Sequence, residues 1–179
     1  MVVAALIGEP ATGKSTMAKQ LLERLGPGRP FKRDLLNGTR HGNTFVFGSY
    51  DPNQVFSGTD RLSMACQPSA VKFLEDCKLH NPEAKIFFEG DRLGNISFLE
   101  KCFEFAETHV FVLAVSNQEK ILRHHARQDN QSEKFLAGRM TKIANILKRF
   151  PQSEILPNEN LDQMARNVEL ISRLFASPE

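Results

Sequence analysis

The segment Gly8-Glu9-Pro10-Ala11-Thr12-Gly13-Lys14-Ser15, with Thr16 behind it, fits the spacing G-x-x-x-x-G-K-[ST]. So short a pattern also arises by chance, so its flanks decide what it means. Ahead of it runs Val2-Val3-Ala4-Ala5-Leu6-Ile7, an apolar run suited to a buried parallel strand. Behind it Ala18, Leu21, Leu22 and Leu25 recur at helical spacing until Gly26-Pro27-Gly28 stops the helix. Strand, glycine loop and helix come in the order a phosphate-binding P-loop requires. A glycine-rich turn that binds nothing needs neither Lys14 nor Ser15 where they stand.

Such a loop presents successive backbone N–H groups as an anion-binding nest at the positive end of the following helix. Residues Gly8 to Thr16 are therefore the expected triphosphate cradle, with ATP and Mg²⁺ as cofactors. Lys14 is expected to reach the β- and γ-phosphates, and Ser15 to ligate Mg²⁺. Gly8 and Gly13 allow backbone angles and close approaches that a Cβ would block. The loop says nothing of what receives the phosphate.

A chain of 179 residues suits one α/β domain. No apolar run approaches the roughly 20 residues needed to span a bilayer, and because the N-terminus leads straight into a strand no signal peptide is expected. Cys66, Cys77 and Cys102 lack metal-ligand spacing and fit free thiols in a cytoplasmic protein. A net charge of +2 does not argue for nucleic acid, but its distribution is uneven. Between positions 121 and 150 lie Arg123, Arg127, Lys134, Arg139, Lys142, Lys148 and Arg149, against only Asp129 and Glu133.

Further along, Lys32, Arg33, Arg40 and His41 surround Asn37-Gly38, a hairpin signal. Phe31–Leu36 and Asn43–Phe47 are expected to pair across it. Gly48–Pro52 reads as a turn and Gly58–Met64 as a polar loop. Pro68 suits the first turn of a helix covering Val71, Phe73, Leu74 and Cys77. Lys85–Glu89 is a short strand ending in a carboxylate, and Gly90–Gly94 is the loop after it. A helix follows around Phe98–Phe105, then a strand over His109–Val115. Ser116-Asn117-Gln118-Glu119 has capping-box spacing, so the next helix begins there, with Arg123 and Arg127 on one face. A longer helix is expected over Glu133–Arg149, with Phe135, Leu136, Met140, Ile143, Ile146, Leu147 and Phe150 turned inward. Ser153–Pro157 reads as a last strand. The final helix carries Leu161, Met164, Val168, Ile171 and Leu174.

Strands alternating with helices indicate a mostly parallel sheet covered on both faces. Ligands of such sheets gather at the carboxyl ends of the strands. That rule assembles Gly8–Thr16, Gly48–Asp51, Glu89–Arg92 and the region after Val115 into one crevice. Phosphoryl transfer needs a metal site, cationic clamps and a group that positions or deprotonates the acceptor. Glu89 is the candidate to hold Mg²⁺ beside Ser15; it also fits an ordinary carboxylate after a strand. Arg123, Arg127 and Arg139 are candidates for a cationic lid, or for a solvated helix face. Asp51 is the candidate general base, although Asp before Pro is also common in plain turns. Tyr50, Asp60, Arg61 and Arg92 are the acceptor-site candidates. Tyr50 can stack on a base or simply pack, and Asp60 with Arg61 can form a loop ion pair. Phe45, Phe47 and Phe56 read as core. Adjacent His124 and His125 point in different directions on a helix, which excludes a zinc site there.

Gly8–Ser15, Glu89-Gly90-Asp91-Arg92 and the arginine-bearing segment before a long helix resemble the P-loop kinases of the nucleoside-monophosphate-kinase superfamily. The resemblance implies a three-layer fold with five parallel strands in the order 2-3-1-4-5 and a lid around 120–140 within a single domain spanning 1–179. The basic β-hairpin near 31–47 has no place in that scheme and suits a polyanionic acceptor. Within that group, Phe47–Asp51, Phe56–Met64 and Phe88-Glu89-Gly90 look most like the bacteriophage 5-hydroxymethyluracil DNA kinases. That likeness implies γ-phosphate transfer from ATP to a hydroxymethyl group on DNA, with Asp51 as base. It also implies DNA phosphates lying on Arg29–His41 and Arg123–Arg149. Two other readings stand beside it. One is a kinase of a free deoxynucleoside monophosphate or nucleoside, and the other is an ATPase or nucleotide switch with no acceptor. No partner membrane or zinc is expected.

Overall fold

The computed structural model describes residues 1–50, 57–127 and 132–176, without the side chains of 124, 126, 127 and 133. Its centre is β1 (Val2–Gly8), flanked by β5 (Lys85–Glu89) and β6 (Glu107–Ala114), both parallel to it. Outside these lie β4 (Thr44–Phe47), parallel to β5, and β7 (Glu154–Pro157), parallel to β6. Counted along the chain, the five parallel strands stand in the order 2-3-1-4-5, as expected. Two more strands, β2 (Arg29–Arg33) and β3 (Leu36–His41), extend the β4 edge antiparallel, so the whole sheet has seven strands in the order β2-β3-β4-β5-β1-β6-β7.

This edge departs from the expected hairpin. Asn37-Gly38 is not a turn; it lies inside β3, with Gly38 opposite Phe47. The reversals fall instead at Asp34, whose φ is 52°, and at Gly42, whose φ is 58°. Gly38 is required by proximity rather than by backbone angle. A Cβ there would overlap the Val46 carbonyl oxygen and lie 2.9 Å from the Phe31 ring. The Asn37 carbonyl oxygen also accepts from Gly48 N at 2.8 Å, tying the edge to the turn after β4.

Alternation along the buried strands builds two cores. Val3, Ala5, Ile7, Phe45, Phe47, Ile86, Phe88, Val110 and Val112 face α2 (Gln67–His80), α3 (Ile96–Phe105) and the second half of α5 (Glu133–Arg149). Ala4, Leu6, Val46, Phe87, Phe111 and Leu113 face α1 (Lys14–Leu25) and α6 (Leu161–Phe175). Phe45 and Phe47 are core residues, as expected, and both pack edge-on against Phe73. Cys66, Cys77 and Cys102 are free and buried.

The expected inward stripe of α5 holds for only half of the helix. Ile146 and Phe150 are buried, whereas Phe135 is 40% exposed and Met140 is 54% exposed. The N-terminal half of α5 has left the sheet, and Arg139 lies over the Phe135 ring at 4.6 Å instead of that ring entering a core. Leu161, expected on the stripe of α6, is 77% exposed at the first position of that helix. No helix among the described residues is long and apolar enough to cross a membrane.

Candidate active site

All five parallel strands end on one side, and the loops there meet around the β1–α1 connection. Gly13 caps α1 in a left-handed conformation with φ of 94°, and a Cβ on it would lie 2.7 Å from Asn158 Nδ2. Ala11 is also left-handed, with φ of 61°, and is buried. Thr12 Oγ1 donates to the Glu9 carbonyl oxygen at 2.8 Å, closing the loop on itself. Lys14 Nζ donates to the carbonyl oxygens of Gly8 at 2.9 Å and Glu9 at 2.8 Å, so its ammonium curls back over the loop where phosphates would lie. Pro10 turns the chain at the loop's apex, and Thr16 is exposed on the first turn of α1.

Glu89 ends β5 beside this loop and is 2% exposed. Ser15 Oγ donates to Glu89 Oε1 at 3.2 Å. Burial pushes the Glu89 carboxyl from its ordinary value near 4.5 up to about 7; the charges of Asp60 and Asp91 add to the rise, while Lys14 and the Ser15 hydroxyl oppose it. A buried carboxylate next to a P-loop hydroxyl is a hard-oxygen donor pair with a charge left to neutralise, which fits Mg²⁺. Ser15 and Glu89 are therefore the residues that would hold that ion. No His/Cys/Asp/Glu group of three or more suited to a metal occurs among the described residues.

The segment after β4 reaches the same carboxylate. Ser49 and Gly58 exchange both backbone hydrogen bonds, at 3.2 and 2.7 Å. Gly58 has φ of 67°, and a Cβ on it would overlap Glu89 Oε1 and fall 2.8 Å from the Glu89 carbonyl oxygen. The buried Thr59 hydroxyl donates to that same carbonyl oxygen at 2.9 Å. Asp60 Oδ1 accepts from Asp91 N at 3.0 Å, and Arg92 Nε donates to the Leu62 carbonyl oxygen at 3.4 Å. Arg61 is exposed on the short 3₁₀ turn Thr59–Arg61. Tyr50 packs against the core between the sheet, α1 and α6 with its hydroxyl buried. Of the acceptor-site candidates, Tyr50, Asp60 and Arg92 thus gather at the Glu89 end of the crevice. Asp51 and Phe56 lie outside the described residues.

The lid residues divide. Arg123, on α4 (Asn117–Arg127), pairs with Glu119 at 2.7 Å and donates to the carbonyl oxygens of Ala11 at 3.3 Å and Asn158 at 2.8 Å. It is thus pinned to the outer wall of the P-loop. Arg139 sits across the crevice, paired with Asp91 at 2.5 Å, and Lys142 pairs with Asp91 at 3.3 Å. The side chain of Arg127 lies outside the described residues. The capping box at the start of α4 is half formed. Ser116 Oγ accepts from Glu119 N at 3.2 Å, but Ser116 N donates to Glu159 at 2.6 Å, leaving Glu119 for Arg123.

Three contributors escaped the sequence reading. Asn158, fully buried after β7, donates from Nδ2 to the Thr12 carbonyl oxygen at 2.7 Å and so fixes the loop. Lys120 pairs with Glu9 at 3.0 Å. Lys142 lines a narrow pocket with Gly8, Lys14, Gly90 and Asp91. For Asn158 the available signal was its place just past the carboxyl end of the last parallel strand.

No family model matches the sequence, and no curated protein does. Among solved structures, a shikimate kinase from Bacteroides thetaiotaomicron is similar over 97% of this chain and 98% of its own, at 14% identity and a TM-score of 0.49. An uncharacterized protein from Eubacterium ventriosum is similar over 99% of this chain and 100% of its own, at 13% identity and a TM-score of 0.47. A gluconokinase from Sinorhizobium meliloti is similar over 97% of both chains, at 14% identity and a TM-score of 0.43. Likenesses of this degree do not extend to activity. What the chain's own sheet and loop show is an α/β protein with a P-loop between β1 and α1 of a parallel 2-3-1-4-5 core.

Proposed function

We propose that this protein is an ATP- and Mg²⁺-dependent kinase that phosphorylates a hydroxyl group of a free small molecule. The observation that carries the reading is the Ser15–Glu89 contact, with Lys14 in the same glycine loop at the carboxyl ends of the parallel strands. The loop N–H groups and Lys14 would bind the triphosphate. Mg²⁺, when bound, supplies charge neutralisation on the phosphate oxygens. Arg123 closes the loop side of the crevice, and Arg139 with Lys142 stands ready on the other. Asp51 remains the proposed general base and Arg127 a proposed clamp.

A free acceptor is favoured over DNA by what happens to the basic segments. Arg29 and Arg40 pair at one end of the β2–β3 ribbon, away from the crevice, while Lys32 and Arg33 lie at the other end, on the order of 13 Å along the strand. Arg33 is paired with Asp76, and the His41 ring is held between the Gly26 carbonyl oxygen and Thr39. In the lid and the long helix, Arg123, Arg139, Lys142 and Arg149 are each paired with a carboxylate. Those of the cations that are paired in this way offer less uncompensated charge to a phosphodiester backbone.

The test is nucleotide binding and turnover in three proteins: wild type, Glu89→Gln and Asp51→Asn. The kinase reading expects Glu89→Gln to lose Mg²⁺-dependent turnover and Asp51→Asn to lose transfer while still binding ATP. Full turnover in Asp51→Asn would reassign the base. Full Mg²⁺-dependent turnover in Glu89→Gln would remove the site as drawn.

A further inference from the structure

Tyr50 carries a hydroxyl with no use in the architecture. Its ring packs against the core cluster between the sheet, α1 and α6. It stands one residue beyond Ser49, whose double hydrogen bond with Gly58 abuts Glu89. Among the described residues, Tyr50 Oη is the one buried side-chain polar atom without a hydrogen-bond partner. A buried orphan hydroxyl lowers stability, and phenylalanine would pack against the same wall without that cost. The chain uses phenylalanine 14 times and tyrosine once, so the aromatic packing residue it ordinarily employs is the other one.

The surroundings define what the hydroxyl can meet. Burial, then the nearby carboxylates of Glu89 and Asp60, hold the phenol well above its ordinary range, so it keeps its proton and acts as a donor rather than a base. Two carboxylates close by also disfavour an anionic oxygen at that point. Resting on the kinase reading above, we propose that Tyr50 Oη donates a hydrogen bond to an uncharged oxygen of the phosphate acceptor, a hydroxyl or carbonyl group, at the Glu89 end of the crevice. Tyr50 is then a specificity residue: an acceptor lacking that oxygen leaves the phenol buried and unpaired.

A single tyrosine and no tryptophan make the experiment site-specific. Protein carrying ring-labelled tyrosine gives one resonance. It is loaded with Mg²⁺ and a non-hydrolysable ATP analogue, then challenged with thymidine, dTMP, shikimate, gluconate or inorganic phosphate. The same organic compounds are assayed for turnover with ATP. A compound that turns over is expected to move the Tyr50 resonance, and inorganic phosphate is not. Tyr50→Phe is expected to lower kcat/KM for that compound about tenfold or more, with Tm unchanged or raised. Turnover without a resonance shift would overturn the inference, as would a Tyr50→Phe protein with lowered Tm and unchanged kcat/KM, which would make the hydroxyl merely structural. A shift without any turnover would leave the acceptor-site hydrogen bond standing and remove the kinase reading. Neither shift nor turnover would remove both.

Discussion

At the scale of single residues, Glu89 is the carboxylate proposed to hold Mg²⁺, and its burial gives it a measurable thermodynamic signature. Its folded-state pKa is raised from near 4.5 to about 7, so between those values the folded protein holds a proton that the unfolded chain has released. Stability contributed by the neutral carboxyl is present in full at low pH and is lost as pH rises through that window, up to about 3 kcal/mol. Glu89→Gln should therefore raise Tm by roughly 5–10 °C at about pH 8 and change it little at about pH 5. The same substitution should cost roughly a hundredfold or more in Mg²⁺-dependent turnover, because the charge that holds the ion is gone. A thermal melt series across pH, paired with initial rates, checks both signs. Gly58→Ala tests the packing around that carboxylate. A methyl group there must displace Glu89, so loss of activity together with a drop in Tm is expected. The placement of these residues was legible in the sequence: Gly8–Ser15 has P-loop spacing between a strand and a helix, and Glu89 ends an apolar strand. Asn158 was not legible, because a buried amide that braces the Thr12 carbonyl needs the fold to bring β7 beside the loop.

Elements reveal where periodicity stops being informative. The apolar spacing of α5 is uniform along its length, yet only its second half meets the sheet. Amphipathic spacing tells which face is apolar, not whether a partner is present to cover it. The free half is held by Asp91, between Arg139 and Lys142. These side chains are a quarter to a third exposed, so Asp91→Asn should cost only roughly 0.5–1 kcal/mol, while amide exchange in the first half of α5 rises selectively. Unchanged exchange there would show that the pairs do not hold the helix. The edge ribbon teaches a related lesson. Asn-Gly is a strong hairpin signal, but Gly38 is needed for its lack of a side chain against Val46 and Phe31, and the turns went to Asp34 and Gly42. Gly38→Val should accordingly unseat β3 from β4 and lower Tm by several degrees, visible in a thermal melt.

For the molecule as a whole, strand alternation was enough to anticipate the parallel core, while its order 2-3-1-4-5 was implied by the resemblance to P-loop kinases. Local runs of basic residues were a poorer guide. The sequence shows where lysines and arginines cluster along the chain. It does not show that Asp76, Asp91 and Glu100, from other elements, pair with several of them. The proposal of a small-molecule acceptor rests on those pairings, and one measurement tests it most directly. Transfer of label from γ-labelled ATP is followed in parallel to free nucleosides, nucleoside monophosphates, sugar acids and 5-hydroxymethyluracil-containing duplex DNA, at low and moderate salt. The account predicts label in a free hydroxylated compound, at a rate nearly indifferent to salt and abolished by Glu89→Gln. Label entering only the DNA and falling steeply with salt would contradict it, as would label appearing only as inorganic phosphate whatever acceptor is present.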